Sequence, residues 1–124
     1  MAKVYLPGSK EYMLVRAAYD GKLEDVLRLI PEVETVNGLA GWEWSPATAL
    51  WWACRRGHPQ VVKALLQNGA NVVLTDPGKR TVFTAVMDSR RWIREAQRRL
   101  NVLIILLQWY PPSQLQTATK EIDR

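Results

Sequence analysis

Cys54 and His58 are the residues of this 124-residue chain whose types and spacing most invite a chemical interpretation. They lie four residues apart, so a helix would bring a thiol and an imidazole onto adjacent turns. A nucleophilic cysteine also needs an exposed thiolate of low pKa and a third group that orients the base, and the sequence indicates neither. A structural zinc site needs about four ligands, which one cysteine and one histidine cannot supply. We therefore predict that the protein is not an enzyme and has no catalytic residue, metal ion or cofactor.

The segment 48–72, which reads TALWWACRRGHPQVVKALLQNGANV, predicts two short helices joined by a tight turn. Gly57 ends the first helix, expected over 47–56, because glycine adopts a positive φ without a Cβ clash. Pro59 lies in the first turn of the second helix, expected over 59–67, where its missing N–H costs nothing. The apolar residues at helical spacing are Leu50, Ala53 and Cys54 on the first helix and Val61, Val62, Leu65 and Leu66 on the second.

The same segment resembles one ankyrin repeat. The residues that carry the resemblance are Thr48, Leu50, Ala53, Gly57-His58, Val61-Val62, Leu65-Leu66 and Gly69-Ala70-Asn71-Val72. The family's Thr-Pro-Leu-His is Thr-Ala-Leu-Trp here, so its proline and histidine are missing. The resemblance implies structural roles for Cys54, as a small buried residue, and for His58, as a turn residue that hydrogen-bonds the adjacent repeat. One such unit cannot bury its own apolar face and must stack on neighbours.

Weaker copies of the pattern flank this segment. The upstream matches stand 36 positions earlier and are Leu14, Ala17, Ala18, Gly21, Val26, Leu29 and Ile30. Since the family period is about 33 residues, we place an insertion of roughly three residues in the loop 37–46. Downstream, Thr81 and Phe83 stand 33 residues after their central counterparts, and the Asp-Pro-Gly of 76–78 predicts a hairpin-tip turn. The third unit lacks the Gly-His turn, so its second helix is expected to be lengthened, over 91–109.

Together these units predict an all-α fold, an ankyrin-repeat solenoid of stacked helix–turn–helix units with hairpin-like loops. We expect one domain over 1–112, with repeats near 11–43, 44–75 and 76–110, and a polar, disordered tail over 113–124. The helices are expected at 10–19, 23–30, 47–56, 59–67, 81–89 and 91–109. The expected core contains Leu14, Ala17, Val26, Leu29, Leu50, Ala53, Val62, Leu65, Leu66, Phe83, Leu103 and Leu107.

Composition limits the remaining classes. The net charge is +5, with the basic excess toward the C-terminal repeat. One cysteine excludes an internal disulfide and fits a reducing compartment, so we expect an intracellular protein, cytoplasmic or nuclear. No secretory signal is visible over 1–10. The longest apolar run, 102–107, is far shorter than the ~20 residues that a membrane span needs.

The chain contains six tryptophans, and several fall where the resemblance implies contact with a partner. Loop tips and first helices of ankyrin repeats line a concave face that binds other proteins, and aromatic and arginine side chains dominate interface energetics. The predicted partner-binding residues are Trp44, Arg55, Arg56, Arg80, Tyr19, Trp42 and Trp51. A basic groove with aromatic edges favours a peptide that is acidic or ends in a carboxylate. The alternatives are structural: some tryptophans could fill the core, and the arginine pair 55–56 could complement a helix dipole, worth ~0.3–1 kcal/mol.

The last predicted helix suggests two further functions. Its basic face comprises Arg91, Arg94, Arg98 and Arg99, which is a solvated face or a surface for an acidic partner, nucleic acid or anionic membrane. Nucleic acid is disfavoured because these arginines are not interleaved with a series of stacked aromatic residues. The apolar run 102–107 and Trp109 could instead mediate self-association, since a terminal repeat should have a polar outer face. A fold-back of the segment around Leu115, or a further repeat, would explain the same run.

Overall fold

The computed structural model describes residues 3–42, 45–87 and 92–111, and its helices follow one another in pairs. The elements are α1 (Lys10–Asp20), α2 (Leu23–Leu29), a 3-10 turn (Ile30–Glu32), β1 (Ala40–Trp42), β2 (Ser45–Ala47), α3 (Ala49–Arg56), α4 (Pro59–Gln67), α5 (Val82–Met87) and α6 (Trp92–Trp109). The all-α solenoid of helix–turn–helix units predicted from the sequence is confirmed. The predicted tail 113–124 lies outside the described residues.

Local sequence signals explain where the first helix of each pair begins. The hydroxyl of Ser9 accepts a hydrogen bond from the Tyr12 N–H at 3.1 Å and caps α1. Thr48 caps α3 in the same way, accepting from the Trp51 N–H at 3.1 Å. Thr81 repeats the arrangement at the start of α5. Each cap satisfies an N–H group that has no partner within its helix.

The helix pairs stack in two layers. The first helices α1, α3 and α5 pack side by side, and the second helices α2, α4 and α6 form the other layer. The core between them includes Leu14, Val26, Leu29, Leu50, Ala53, Val62, Leu65, Leu66, Val86, Val102 and Leu106. Ala18, Ala53 and Cys54 are fully buried where neighbouring helices approach closely, since small side chains let the backbones come together.

Two polar links join the first pair of helices to the second. The His58 Nε2 lies 3.0 Å from the Tyr19 carbonyl, and it must donate because a carbonyl only accepts. Asn37 donates from Nδ2 to the Gly69 carbonyl at 3.2 Å and accepts from the Asn71 N–H at 2.8 Å. The predicted structural role of His58 is therefore confirmed.

The loop that carries the predicted insertion contains a β-hairpin. β1 and β2 are antiparallel, with Ala40 opposite Ala47 and Gly41 opposite Pro46. The N-terminal segment extends this edge, because the Tyr5 N–H donates to the Leu39 carbonyl at 2.7 Å. The predicted turn at 76–78 also forms, closed by a hydrogen bond from the Lys79 N–H to the Asp76 carbonyl at 2.9 Å.

Arg99 on α6 joins the third helix pair to the second. Its guanidinium donates to the Val86 carbonyl at 3.0 Å, to the Arg55 carbonyl at 2.9 Å and to Glu95 Oε2 at 2.9 and 3.1 Å. Only 2% of Arg99 is exposed. The prediction that Arg99 belongs to an exposed basic face is therefore wrong, because its side chain is used to satisfy the ends of two other helices.

The structure corrects smaller details of the prediction. Leu107 was expected in the core but is 51% exposed, because α6 turns Arg99, Val102 and Leu106 inward at i, i+3 and i+7. Phe83 and Leu103 are only partly buried and pack against the core. The second helix ends at Leu29, one residue early, and a 3-10 turn that includes a proline follows it.

Candidate interaction surface

α3 presents three long side chains on the face opposite its buried residues. Trp52, Arg55 and Arg56 are partly exposed, whereas Leu50 and Ala53 are buried. The exposed three stand at i, i+3 and i+4, which places them together on one side of the helix. Gly57, in the left-handed conformation with φ 73°, ends α3 directly after the arginine pair.

Four ring contacts connect this face to its neighbours in one continuous row. The Arg56 guanidinium lies 4.6 Å from the Tyr19 ring centre, and Tyr19 meets Trp52 edge to face at 5.5 Å. Trp52 meets Trp51 edge to face at 4.8 Å. The Arg80 guanidinium lies over Trp51 at 4.5 Å. The row therefore has a cation at each end and three aromatic rings between them, a geometry that the ring quadrupole favours.

Arg80 is held in place from both neighbouring loops. Its backbone N–H donates to Asp76 Oδ1 at 2.8 Å, and its Nε donates to the other oxygen of the same carboxylate. Its Nη2 donates to the Ser45 hydroxyl on β2 at 3.0 Å. Arg80 thus fixes the loop before α5 to the hairpin before α3, with its guanidinium still partly exposed.

Trp52 takes the place that was predicted for its neighbour Trp51. Only 3% of Trp51 is exposed, so the prediction that it contacts a partner directly is wrong. Its indole fills space between α3 and the guanidinium of Arg80. Trp52 is partly exposed and packs against the backbone at Gly41, where an added Cβ would lie 3.3 Å from Nε1. Helical periodicity could have predicted the exposure of Trp52, because at 100° per residue it lies on the side of the helix opposite Leu50.

The structure brings some of the other predicted partner-binding residues together and leaves the side chains of two of them undescribed. Tyr19, Arg55, Arg56 and Arg80 come together with Trp52, and these five residues are called the arginine–tryptophan surface below. Trp44 lies outside the described residues. Trp42 is described only by its backbone, in β1.

The arginine–tryptophan surface contains more basic than acidic residues. Arg55, Arg56 and Arg80 contribute three cations, and Asp76 neutralises part of Arg80. Asp20 follows Tyr19 in the chain and is exposed. Arg56 and Arg80 thus place positive charge directly against aromatic rings.

Cys54 and His58 both have structural roles in the repeat. Cys54 is fully buried, and burial raises the pKa of its thiol far above the ordinary value of 9.0. A thiol so protected is inert as a nucleophile. Burial lowers the pKa of His58 below its ordinary value of 6.5, although the hydrogen bond to the Tyr19 carbonyl acts in the opposite direction.

The structure leaves only part of the alternative basic face of α6 exposed to solvent. Arg94 and Arg98 are exposed, but Arg98 Nη2 pairs with Glu95 Oε1 at 3.1 Å and Arg99 is buried. Arg91 lies outside the described residues.

Within 3–42, 45–87 and 92–111, no three His, Cys, Asp or Glu side chains are close enough to hold a metal ion. Across those same ranges, no helix is both long and apolar enough to cross a membrane.

Comparison with known proteins agrees with the stacked helix pairs. A family model for the ankyrin repeat matches residues 47–77. Ankyrin repeat domain-containing protein 40 of Mus musculus is 40% identical over 86 residues, which cover 66% of this chain and 22% of that protein. The Homo sapiens protein of the same name is 38% identical over 86 residues, covering 66% and 21%. The match thus spans about a fifth of the length of these curated relatives.

Proposed function

We propose that this chain, which is an ankyrin-repeat protein, binds a partner protein or peptide through the arginine–tryptophan surface. Ankyrin repeats generally mediate protein–protein interaction and are typically non-enzymatic. In this chain we assign the contact to Tyr19, Trp52, Arg55, Arg56 and Arg80. The observation that carries it is the row of edge-to-face rings with a guanidinium at each end.

Preorganisation makes this row suited to binding. Arg56 and Arg80 are already stacked on rings, and Arg80 is fixed by Asp76 and Ser45 before any partner arrives. Ordering a flexible side chain at an interface costs about 0.5–1.5 kcal/mol, so side chains that are fixed beforehand save part of that cost. Tryptophan, tyrosine and arginine are also the residues most enriched among interface hot spots.

The partner's chemistry follows from the same geometry. The guanidinium of Arg56 can hold a carboxylate with two parallel hydrogen bonds. The edge-to-face rings of Tyr19 and Trp52 offer an apolar surface directly beside it. We infer a segment that carries a carboxylate, from an acidic side chain or a chain terminus, next to an apolar or aromatic residue.

Affinity capture with two charge-matched variants tests the proposal. The test variant is Arg55→Glu with Arg56→Glu, and the control is Lys22→Glu with Arg28→Glu, two exposed cations at α2. Both variants change the net charge equally, and both must show the wild-type circular dichroism. We expect a protein that the wild type and control capture and the test variant loses. Capture of the same proteins by the test variant would contradict the assignment.

A further inference from the structure

A second surface lies on the other layer of the molecule, between α4 and α6. A groove of about 330 Å³ opens there, with Gln60 and Lys63 on one wall and Asn101, Ile104, Gln108 and Trp109 on the other. Ile104 is 55% exposed, and Trp109 is also exposed. The arginine–tryptophan surface contributes no residue to this groove.

We propose that this groove docks an acidic amphipathic helix of a partner protein. Two neighbouring helices leave a furrow between them, and a third helix can lay its apolar side chains into it. Ile104 and Trp109 provide the apolar contact, and three amides on the walls provide hydrogen-bonding groups for the polar edges of the incoming helix. Apolar centre and polar rim are the usual composition of such an interface.

Charge decides which kind of helix fits. α4 contains one lysine and no acidic residue, and α6 contains three arginines and one glutamate. That glutamate, Glu95, is already shared by Arg98 and Arg99. None of the described residues that line the groove is acidic, and Lys63 is its charged member. Arg99 is buried, so the exposed charges of the two helices are Lys63, Arg94 and Arg98, which an incoming row of Glu or Asp would complement.

The same charge count disfavours a second copy of this chain as the occupant. A symmetric dimer would bring two sets of these cations toward one interface with no additional carboxylates to offset them. An acidic helix has no such cost, and its carboxylates would also be steered toward Lys63 and Arg98.

A selection from a displayed helix library tests the inference. The library holds helices with apolar residues at i, i+3 or i+4, and i+7, and with Glu, Gln, Lys or Ala at the other positions. It is selected against the full chain at about 0.1 M salt, where surface charges still act over ~10 Å. We expect Glu to be enriched over Lys. A selected peptide should bind Ile104→Asp at least tenfold more weakly and Lys63→Glu several-fold more weakly.

Two controls keep the outcome interpretable. Leu27→Asp introduces the same charge at a residue of α2 that is 49% exposed, and it should leave the affinity unchanged. Arg55→Glu with Arg56→Glu should also leave it unchanged, so failure here and failure of the proposed function are separable. Enrichment of Lys, no selected binder, or indifference to Ile104→Asp would overturn the inference. So would a wild-type dimer in sedimentation that Ile104→Asp dissociates, since a second copy would then be the occupant.

Discussion

Arg99 offers the sharpest energetic test of the fold, because one buried guanidinium serves three elements. Replacing it by alanine removes donors from the Val86 and Arg55 carbonyls, at 3.0 and 2.9 Å, near the ends of α5 and α3. It also removes both hydrogen bonds to Glu95 Oε2. The Glu95 side chain is only 11% exposed, so its carboxylate would lose the buried cation that compensates part of the cost of its burial.

The expected cost follows from breaking one side of a buried ion pair. Such changes destabilise proteins by about 3–5 kcal/mol. The individual hydrogen bonds to a charged group, at about 1.5–3 kcal/mol each, would sum to more, but they share one side chain and do not add. For a domain of this size we expect the melting temperature to fall by roughly 10–20 °C.

Arg98→Ala is the matched control, because Arg98 binds the same carboxylate from the exposed side. Its Nη2 lies 3.1 Å from Glu95 Oε1, with half of the arginine side chain in solvent. Exposed pairs contribute at most about 1 kcal/mol. Urea unfolding of both variants, followed by circular dichroism, gives the two free energies from midpoints at constant slope. Equal costs for the two variants, or a loss below about 1 kcal/mol for Arg99→Ala, would refute the reasoning.

Three further outcomes are expected. Gly21→Ala should destabilise the protein more than Gly69→Ala in urea unfolding. Both glycines have positive φ, but of the two only Gly21 would bring its new Cβ against the His58 ring, at 2.6 Å. Equal losses of unfolding free energy would contradict this steric argument. The pKa of His58 is lowered in the folded state, so near and below about pH 6.5 the unfolded chain binds more protons than the folded protein. The free energy of unfolding should therefore fall as the pH drops through that value. His58→Gln should flatten this pH dependence, and an unchanged slope would contradict the pKa shift. The Cys54 thiol should react with a thiol reagent only after unfolding, as its burial requires, and rapid labelling of the native protein would show that it is accessible.

Local signals made the central helix pair predictable. Thr48 as a cap, Gly57 as a left-handed stop and Pro59 at the start of α4 each act through their own backbone and nearest turns. The second helix of this pair was predicted at its observed bounds, 59–67. Such signals need no knowledge of the rest of the chain.

Long-range contacts explain what the sequence left unresolved. Arg99 belongs to a helix that looked basic and solvated, and its acceptor on Arg55 is 44 positions away, beyond any local pattern. Leu107 was misplaced because the last helix is apolar on several sides, so periodicity does not choose the buried face. The exposure of Trp52, in contrast, could be predicted from local sequence. The helical positions of the apolar residues Leu50 and Ala53 favour burial of Trp51 and exposure of Trp52.

The most direct test of the proposed binding surface is the affinity of the captured partner for Trp52→Ala, measured by titration calorimetry beside Trp109→Ala. Both variants remove one exposed or partly exposed indole, and only Trp52 belongs to the arginine–tryptophan surface. Loss of a hot-spot residue costs about 2 kcal/mol or more, which is roughly a 30-fold weaker Kd. We expect that loss for Trp52→Ala and an unchanged Kd for Trp109→Ala. An unchanged Kd for a folded Trp52→Ala would contradict it.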